Sequence, residues 1–132
     1  MTDVPPVRVL DADIVIDMQR RHPAALAWFA ALDIEPYVSG IAVMELYQGA
    51  QNRQQEREVE ILISPLPIAW PSETDCHRAL LDFRAYHLSH SLGLLDALIA
   101  ATTIGLGATL CTFNVKHYRN ITGLALEQPY TR

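Results

Sequence analysis

The sequence predicts an α/β protein: a three-layer α/β/α sandwich with a central, mostly parallel sheet of four to five strands. Three observations carry this reading. Short β-branched runs alternate with longer segments whose apolar residues recur at helical spacing, the pattern of strands joined by crossover helices. Half of the 132 residues are hydrophobic and only 19% are charged, which excludes a disordered chain. No repeat, low-complexity tract or long linker interrupts the pattern, so residues 1–132 are expected to form one domain.

In chain order, Val7–Leu10 is a short β-branched strand, introduced by Pro5 and Pro6 and ending at Asp11. Pro23 suits the first turn of a helix that Ala24–Leu32 continues, with Leu26, Phe29 and Ala30 at helical spacing. Tyr37–Val38, between Pro36 and Ser39-Gly40, reads as a second strand. Ile41–Gly49 reads as a helix and Gln51–Ile63 as another, charged on one face and apolar at Val59, Leu62 and Ile63. Leu66–Trp70, bounded by Pro65 and Pro71, is a third strand. Ser72 caps the next helix, which carries Glu73 and Asp75 in its first turn and Ala79, Leu80, Phe83, Tyr86 and His87 on its apolar face. Leu94–Ile104 is a nearly apolar helix closed by Gly105. Thr109–Phe113 follows as a fourth strand and Leu124–Leu126 as a fifth at an edge.

Composition narrows the function classes. Ten basic against fifteen acidic residues leave a net charge of −5, and Lys116 is the only lysine, so the chain is no polybasic nucleic-acid coat. Cys76 and Cys111 stand apart with no C-x-x-C, and the N-terminus has neither a basic nor an apolar leader pattern; a reducing cytoplasm is expected. Leu92–Val115 is the stretch that most resembles a membrane span. Asp96 would cost about 2.5–3.5 kcal/mol near a bilayer centre, and Gly105 and Gly107 break the helix, so no membrane association is expected.

In an open parallel sheet, ligands bind beyond the carboxyl ends of the strands. Asp11 follows the first strand there, with Asp13 two residues on; Ser39 follows the second strand, with Glu45 in the helix after it; Asn114 follows the fourth. Asp96 lies in the first turn of a helix that must run back across the sheet, which brings it to the same edge. It sits within Leu94-Leu95-Asp96-Ala97-Leu98-Ile99 with no basic residue a turn away. A helix N-terminal acid satisfied by the dipole would account for Asp96 alone. In the company of Asp11 and Glu45, mutual repulsion favours a divalent cation, and oxygen-only ligands suit Mg²⁺ or Mn²⁺. Such an ion activates water and neutralises charge developing on a phosphoryl group. Arg20, Arg21, Lys116 and Arg119 would add a modest basic rim.

Four segments in order then resemble the PIN domain: Val9-Leu10-Asp11-Ala12-Asp13, Ser39-Gly40-Ile41-Ala42-Val43-Met44-Glu45-Leu46, Leu95-Asp96-Ala97-Leu98-Ile99-Ala100-Ala101, and Thr112-Phe113-Asn114-Val115-Lys116-His117-Tyr118. Within that family the chain most resembles the VapC-type ribonuclease toxins of bacterial toxin–antitoxin pairs, over nearly its whole length. The resemblance implies Asp11, Glu45 and Asp96 as the metal-binding acids of a Mg²⁺-dependent endoribonuclease, with Mn²⁺ as a substitute. The family's fourth acidic position falls on Asn114, an amide, which joins the catalytic set but weighs against a second tightly held ion. Asp13 stands where the family commonly has Asn, Ser or Thr; with Ser39 and Thr112 it is read as supporting the ligands rather than touching the ion. The resemblance further implies a homodimer and a VapB-like antitoxin protein whose C-terminal segment occludes the site.

Other groups weigh less. His87 and His90 have the i, i+3 spacing of a shared metal, but without a further His or Cys nearby a zinc site is disfavoured. Trp28 and Phe29 read as core or dimer surface rather than as base-stacking platforms. Gln48–Glu60, Asp17, Asp33, Glu35 and Asp82 read as solvated charge. Gly105-Leu106-Gly107 is a turn with no nucleotide-binding pattern. Two alternatives stay open: a phosphatase of the haloacid dehalogenase type, whose Asp-x-Asp motif Asp11-Ala12-Asp13 also matches, and a non-catalytic PIN-fold binding module. The first lacks its later lysine and acids in the required order, since no Asp follows Asp96.

Overall fold

The computed structural model describes residues 6–132; the strand-opening role read for Pro5 lies outside them. Five parallel strands, β1 (Arg8–Leu10), β2 (Tyr37–Ser39), β3 (Ile68–Ala69), β4 (Thr109–Cys111) and β5 (Ala125–Glu127), form one sheet in the order β3-β2-β1-β4-β5. The sheet is thus wholly parallel among the described residues. β1 lies at its centre because its residues pair on both sides: Val9 with Tyr37 and with Leu110, Leu10 with Val38 and with Cys111. The order turns from one side of β1 to the other, and a crevice opens at such a switch point beyond the carboxyl ends.

Strand residues alternate faces, and the two faces feed two cores. Leu10, Val38 and Cys111 pack on one side against α1 (Ala12–Gln19), α2 (Pro23–Ala30), α3 (Gly40–Gly49) and α4 (Arg53–Ile63). Val9 and Leu110 pack on the other against α5 (Glu73–His90), α6 (Leu94–Gly105) and the short α7 (Val115–Tyr118), with Ile41 and Ala42 of α3 reaching that side too. Helices on both faces bury the three central strands β1, β2 and β4, while the edge strands β3 and β5 stay partly exposed.

The caps follow ordinary chemistry. Ser72 and Asp75 form a reciprocal capping box at the start of α5, and the Asn52 side chain accepts from the Gln55 N–H to open α4. Gly40 permits the close approach of β3 to α3, because a Cβ there would overlap the Trp70 ring.

Several expectations are corrected. The sequence reading left residues 12–22 without a helix, yet α1 occupies most of them, with Ile14, Val15 and Met18 buried at helical spacing behind Asp11 as N-cap. α7 was likewise not anticipated. The third strand shrinks from residues 66–70 to Ile68–Ala69, although Leu66 remains core. Leu80 is 51% exposed rather than packed, since α5 turns Ala79, Phe83 and Tyr86 toward α6 instead. Trp28 and Phe29 pack half-buried against the second core, in keeping with the core side of their reading. Asp17 and Asp82 are buried and paired, Asp17 with Arg132 and Asp82 with Arg78, rather than solvated. His87 stacks on Phe83 and His90 meets the edge of Tyr86, so the pair is held by aromatic contacts. No helix among the described residues is long and apolar enough to cross a membrane.

Candidate active site

Because every strand runs the same way, the segments leaving β1, β2 and β4 emerge on one edge of the sheet. Asp11 leaves β1 as the N-cap of α1, with its Oδ1 accepting from the Ala12 N–H at 2.8 Å, and Asp13 lies in the first turn. Ser39 ends β2 fully buried, and its Oγ accepts from the Ala42 N–H at 3.3 Å, which starts α3 and carries Glu45 on its second turn. Asp96 lies in the first turn of α6. Thr112 follows β4, and Asn114 is the N-cap position of α7, with its side chain exposed and making no cap bond.

Hydroxyl groups tie these segments together. Thr112, fully buried, donates toward Asp11 Oδ2 at 3.0 Å and lies 3.3 Å from Asp13 Oδ2. Its Oγ1 accepts from the Asn114 N–H at 3.0 Å, while the Phe113 N–H donates to Asp13 Oδ2 at 2.8 Å. The Tyr118 hydroxyl, also fully buried, lies 3.0 Å from Asp11 Oδ2 and 3.2 Å from Asp96 Oδ1. Each hydroxyl has a single proton and each faces two carboxylates. Asp13 Oδ1 is buried with no hydrogen-bond partner.

The field at this edge is strongly negative. Burial first, and then the charge of Asp13, push the Asp11 carboxyl up to about 6, against the hydrogen bonds from Ala12, Tyr118 and Thr112. Burial also raises Asp13. Glu45 is pushed up to about 7 by burial and by the charges of Asp11, Asp96 and Asp13. The Tyr118 phenol is driven far above its usual range by burial and by Asp11 and Asp96, so it stays a donor. The His117 ring stands beside Asp96, with its Nδ1 3.7 Å from Oδ2. Asp96 is therefore neither isolated nor fully buried, as its apolar neighbours in sequence had suggested; Tyr118 and His117 flank it from α7.

The donor set is all oxygen: carboxylates of Asp11, Glu45 and Asp96, the Asp13 carboxylate behind them, and the amide of Asn114 on the rim. It fits a hard divalent cation and offers no sulfur or imidazole pair for zinc. Among the described residues no three His, Cys, Asp or Glu side chains are drawn into one ready coordination sphere; the acids share an electrostatic field at somewhat longer range. A cleft of about 400 Å³ between α1, α3 and α4 opens beside them, and of the four acids Glu45 alone lines it, with Ile16, Arg20, Leu46 and Val59.

Sequence reasoning gave no role to Tyr118, His117 or Arg132. Tyr118 and His117 were visible only as part of a resembling segment. A polar tip on an aromatic residue one turn into α7 is the signal that could have singled out Tyr118.

A family model described as the PIN domain matches residues 8–121. Ribonuclease VapC10 of Mycobacterium tuberculosis is 33% identical over 113 residues, spanning 83% of this chain and 84% of that protein. Among solved structures, VapBC2 from Rickettsia felis, bound to a DNA fragment from their promoter, superposes with a TM-score of 0.76 at 27% identity, covering 92% of this chain and 97% of that one. A toxin–antitoxin complex from Klebsiella pneumoniae gives 0.77 at 26% identity, covering 95% and 99%.

Proposed function

This chain belongs to the PIN-domain family, as a VapC-type member, and from that premise we propose that it is a Mg²⁺-dependent endoribonuclease acting in the cytoplasm as the toxin of a toxin–antitoxin pair. The observation that carries the reading is the convergence of Asp11 and Asp13, Glu45 and Asp96 from three segments on one sheet edge, where a single Tyr118 hydroxyl touches two of the carboxylates and their mutual charge and burial push Glu45 up. Acids so placed destabilise one another and gain most from a shared cation.

Asp11, Asp96 and Glu45 would hold Mg²⁺, or Mn²⁺ in its place. When bound, the ion lowers the pKa of a water and neutralises charge on the scissile phosphodiester. Glu45 would share the ion or orient the attacking water, with its carboxylate oxygen taking up that water's proton. Asn114 faces the same edge with an uncharged amide. Ser39 and Thr112 fix the backbones that present the acids, and Asp13 anchors the Phe113 N–H. The substrate class is single-stranded or loop RNA, transfer-RNA loops included, since a small acidic edge cannot read the interior of an A-form duplex. A VapB-like antitoxin is the proposed protein partner; the solved VapBC and toxin–antitoxin relatives support that pairing. We further propose a homodimer, for which the exposed Leu81, Leu88, Leu94 and Leu95 of α5 and α6 supply apolar surface. A dimer of this kind buries more than about 1,000 Å² in total, and light scattering that finds only monomer at micromolar concentration would count against it.

The PIN match sets aside the haloacid dehalogenase reading. A non-catalytic module is separated by experiment: purified protein, freed of any bound partner, is incubated with total cellular RNA with and without Mg²⁺ or Mn²⁺. Cleavage that appears with the cation, stops with a chelator and disappears in Asp96→Ala is expected. Cleavage indifferent to the cation, or surviving Asp96→Ala, would overturn the reading.

A further inference from the structure

Tyr118 stands between two acids that come from distant parts of the chain. Its ring is fully buried, and its backbone is held by α7 and by the Ile121 N–H that donates to its carbonyl at 3.0 Å. The ring packs in the same core as Val9, Ala97 and Leu110, so it is fixed to the sheet and to α6 at once. At its tip, one hydroxyl contacts Asp11 Oδ2 at 3.0 Å and Asp96 Oδ1 at 3.2 Å. These two carboxylate oxygens can therefore lie no farther apart than the two bonds laid end to end. A mobile water in that place would leave the gap adjustable; a rigid phenol does not. A phenylalanine would fill the same core without touching either acid.

We propose that Tyr118 is a positioning residue whose hydroxyl, bridging Asp11 and Asp96, sets the separation of the two carboxylates and so the affinity of this edge for a divalent cation. The inference rests on the cation-binding reading above. Without the bridge, the like charges of Asp11 at the start of α1 and Asp96 on α6 relax apart, and an incoming ion must pull them together. Partners that orient ligands in this way typically contribute 10–100-fold to metal affinity.

The test is Mn²⁺ binding, followed by calorimetry or by the paramagnetic signal of free Mn²⁺, on the full chain without RNA. Tyr118→Phe is expected to keep its cation-free melting temperature within a few degrees and to bind Mn²⁺ about tenfold more weakly. At saturating Mn²⁺ its cleavage rate should return most of the way to wild type, with the half-saturating concentration shifted by the same factor. Tyr130→Phe is the control, since it removes a hydroxyl that bonds Asp17 and neither Asp11 nor Asp96; its Mn²⁺ affinity should match the wild type. A second measurement needs no variant: Mn²⁺ titration of the wild type should give a saturating tyrosine ultraviolet difference band. Equal Mn²⁺ isotherms for wild type and Tyr118→Phe, an equal loss in Tyr130→Phe, or a silent tyrosine spectrum while Mn²⁺ binds would each overturn this inference alone. A wild type that takes up no Mn²⁺ would overturn the cation reading and this inference with it.

Discussion

Asp11 and Asp17 stand at opposite ends of α1, and each is only 6% exposed, yet they meet opposite surroundings. At Asp17, burial works to raise the carboxyl, and the hydrogen bonds and charge of Arg132, with the Tyr130 hydroxyl, outweigh it and hold the pKa below the ordinary value. Arg132 grips both oxygens, Nε to Oδ2 at 2.9 Å and Nη2 to Oδ1 at 3.1 Å, and Tyr130 donates to Oδ2 at 2.7 Å. The guanidinium also lies 4.3 Å over the Phe113 ring. Asp11 has hydroxyl and amide donors but no cation, and its nearest charged influence is another aspartate. Equal exposure thus goes with a structural clasp at one end of the helix and a more deeply packed, under-neutralised site at the other. The difference lies in whether the fold supplies the counter-charge or leaves it to a ligand.

The largest expected effect separates the two ends by activity. Asp11→Asn should lower cleavage by at least ~10²–10³-fold, the scale seen when a transition-state stabilising group is removed, while circular dichroism and melting stay native or improve. Asp17→Asn should leave cleavage per folded molecule within a few-fold. A comparable loss of activity in both would erase the distinction.

Stability should show the reverse order. Arg132→Ala leaves a buried carboxylate without its cation and should lower the unfolding free energy by about 1–3 kcal/mol, discounted because the arginine side chain is half exposed. Urea midpoints read this directly. Since the folded pKa of Asp17 is depressed, its contribution is present above the unfolded value near 4 and fades as pH falls through the folded value. The gap between wild type and Asp17→Asn should therefore close at low pH.

Asp11 and Glu45 should slope the other way. Their folded values, about 6 and about 7, lie above the ordinary 3.8 and 4.5, so the stability they lend is full at pH 4 and below and is lost as pH rises through 6 to 7. Without divalent cation, the wild type should lose on the order of 1–3 kcal/mol between pH 5 and pH 8. The Asp11→Asn, Glu45→Gln double variant should be nearly flat over that range, and Mn²⁺ should flatten the wild type. A wild type as flat as the variant would show that these acids do not repel one another as argued.

The smallest expected effect concerns Asn114→Asp. A fourth carboxylate on the same edge should tighten Mn²⁺ binding several-fold in calorimetry. An unchanged isotherm would place that side chain away from the ion.

The sequence by itself determined the alternation of strands and helices, the parallel sheet, and the cap at Ser72, because each rests on local spacing and short-range hydrogen bonding. It also determined that Asp11, Glu45, Asp96 and Asn114 follow strand ends or open helices, which in a parallel sheet directs them to one edge. The signal for α1 is local as well: Asp11 stands as a cap ahead of Ile14, Val15 and Met18 at helical spacing. Only the tertiary structure decided which acids received partners. Asp17 and Arg132 are 115 residues apart, and Asp11 and Tyr118 107, so no window of sequence holds either pair. Whether a buried carboxylate finds a guanidinium or a shared phenol depends on how loops after β4 and β5 fold back over α1 and α6, and that is settled by packing on both faces of the sheet.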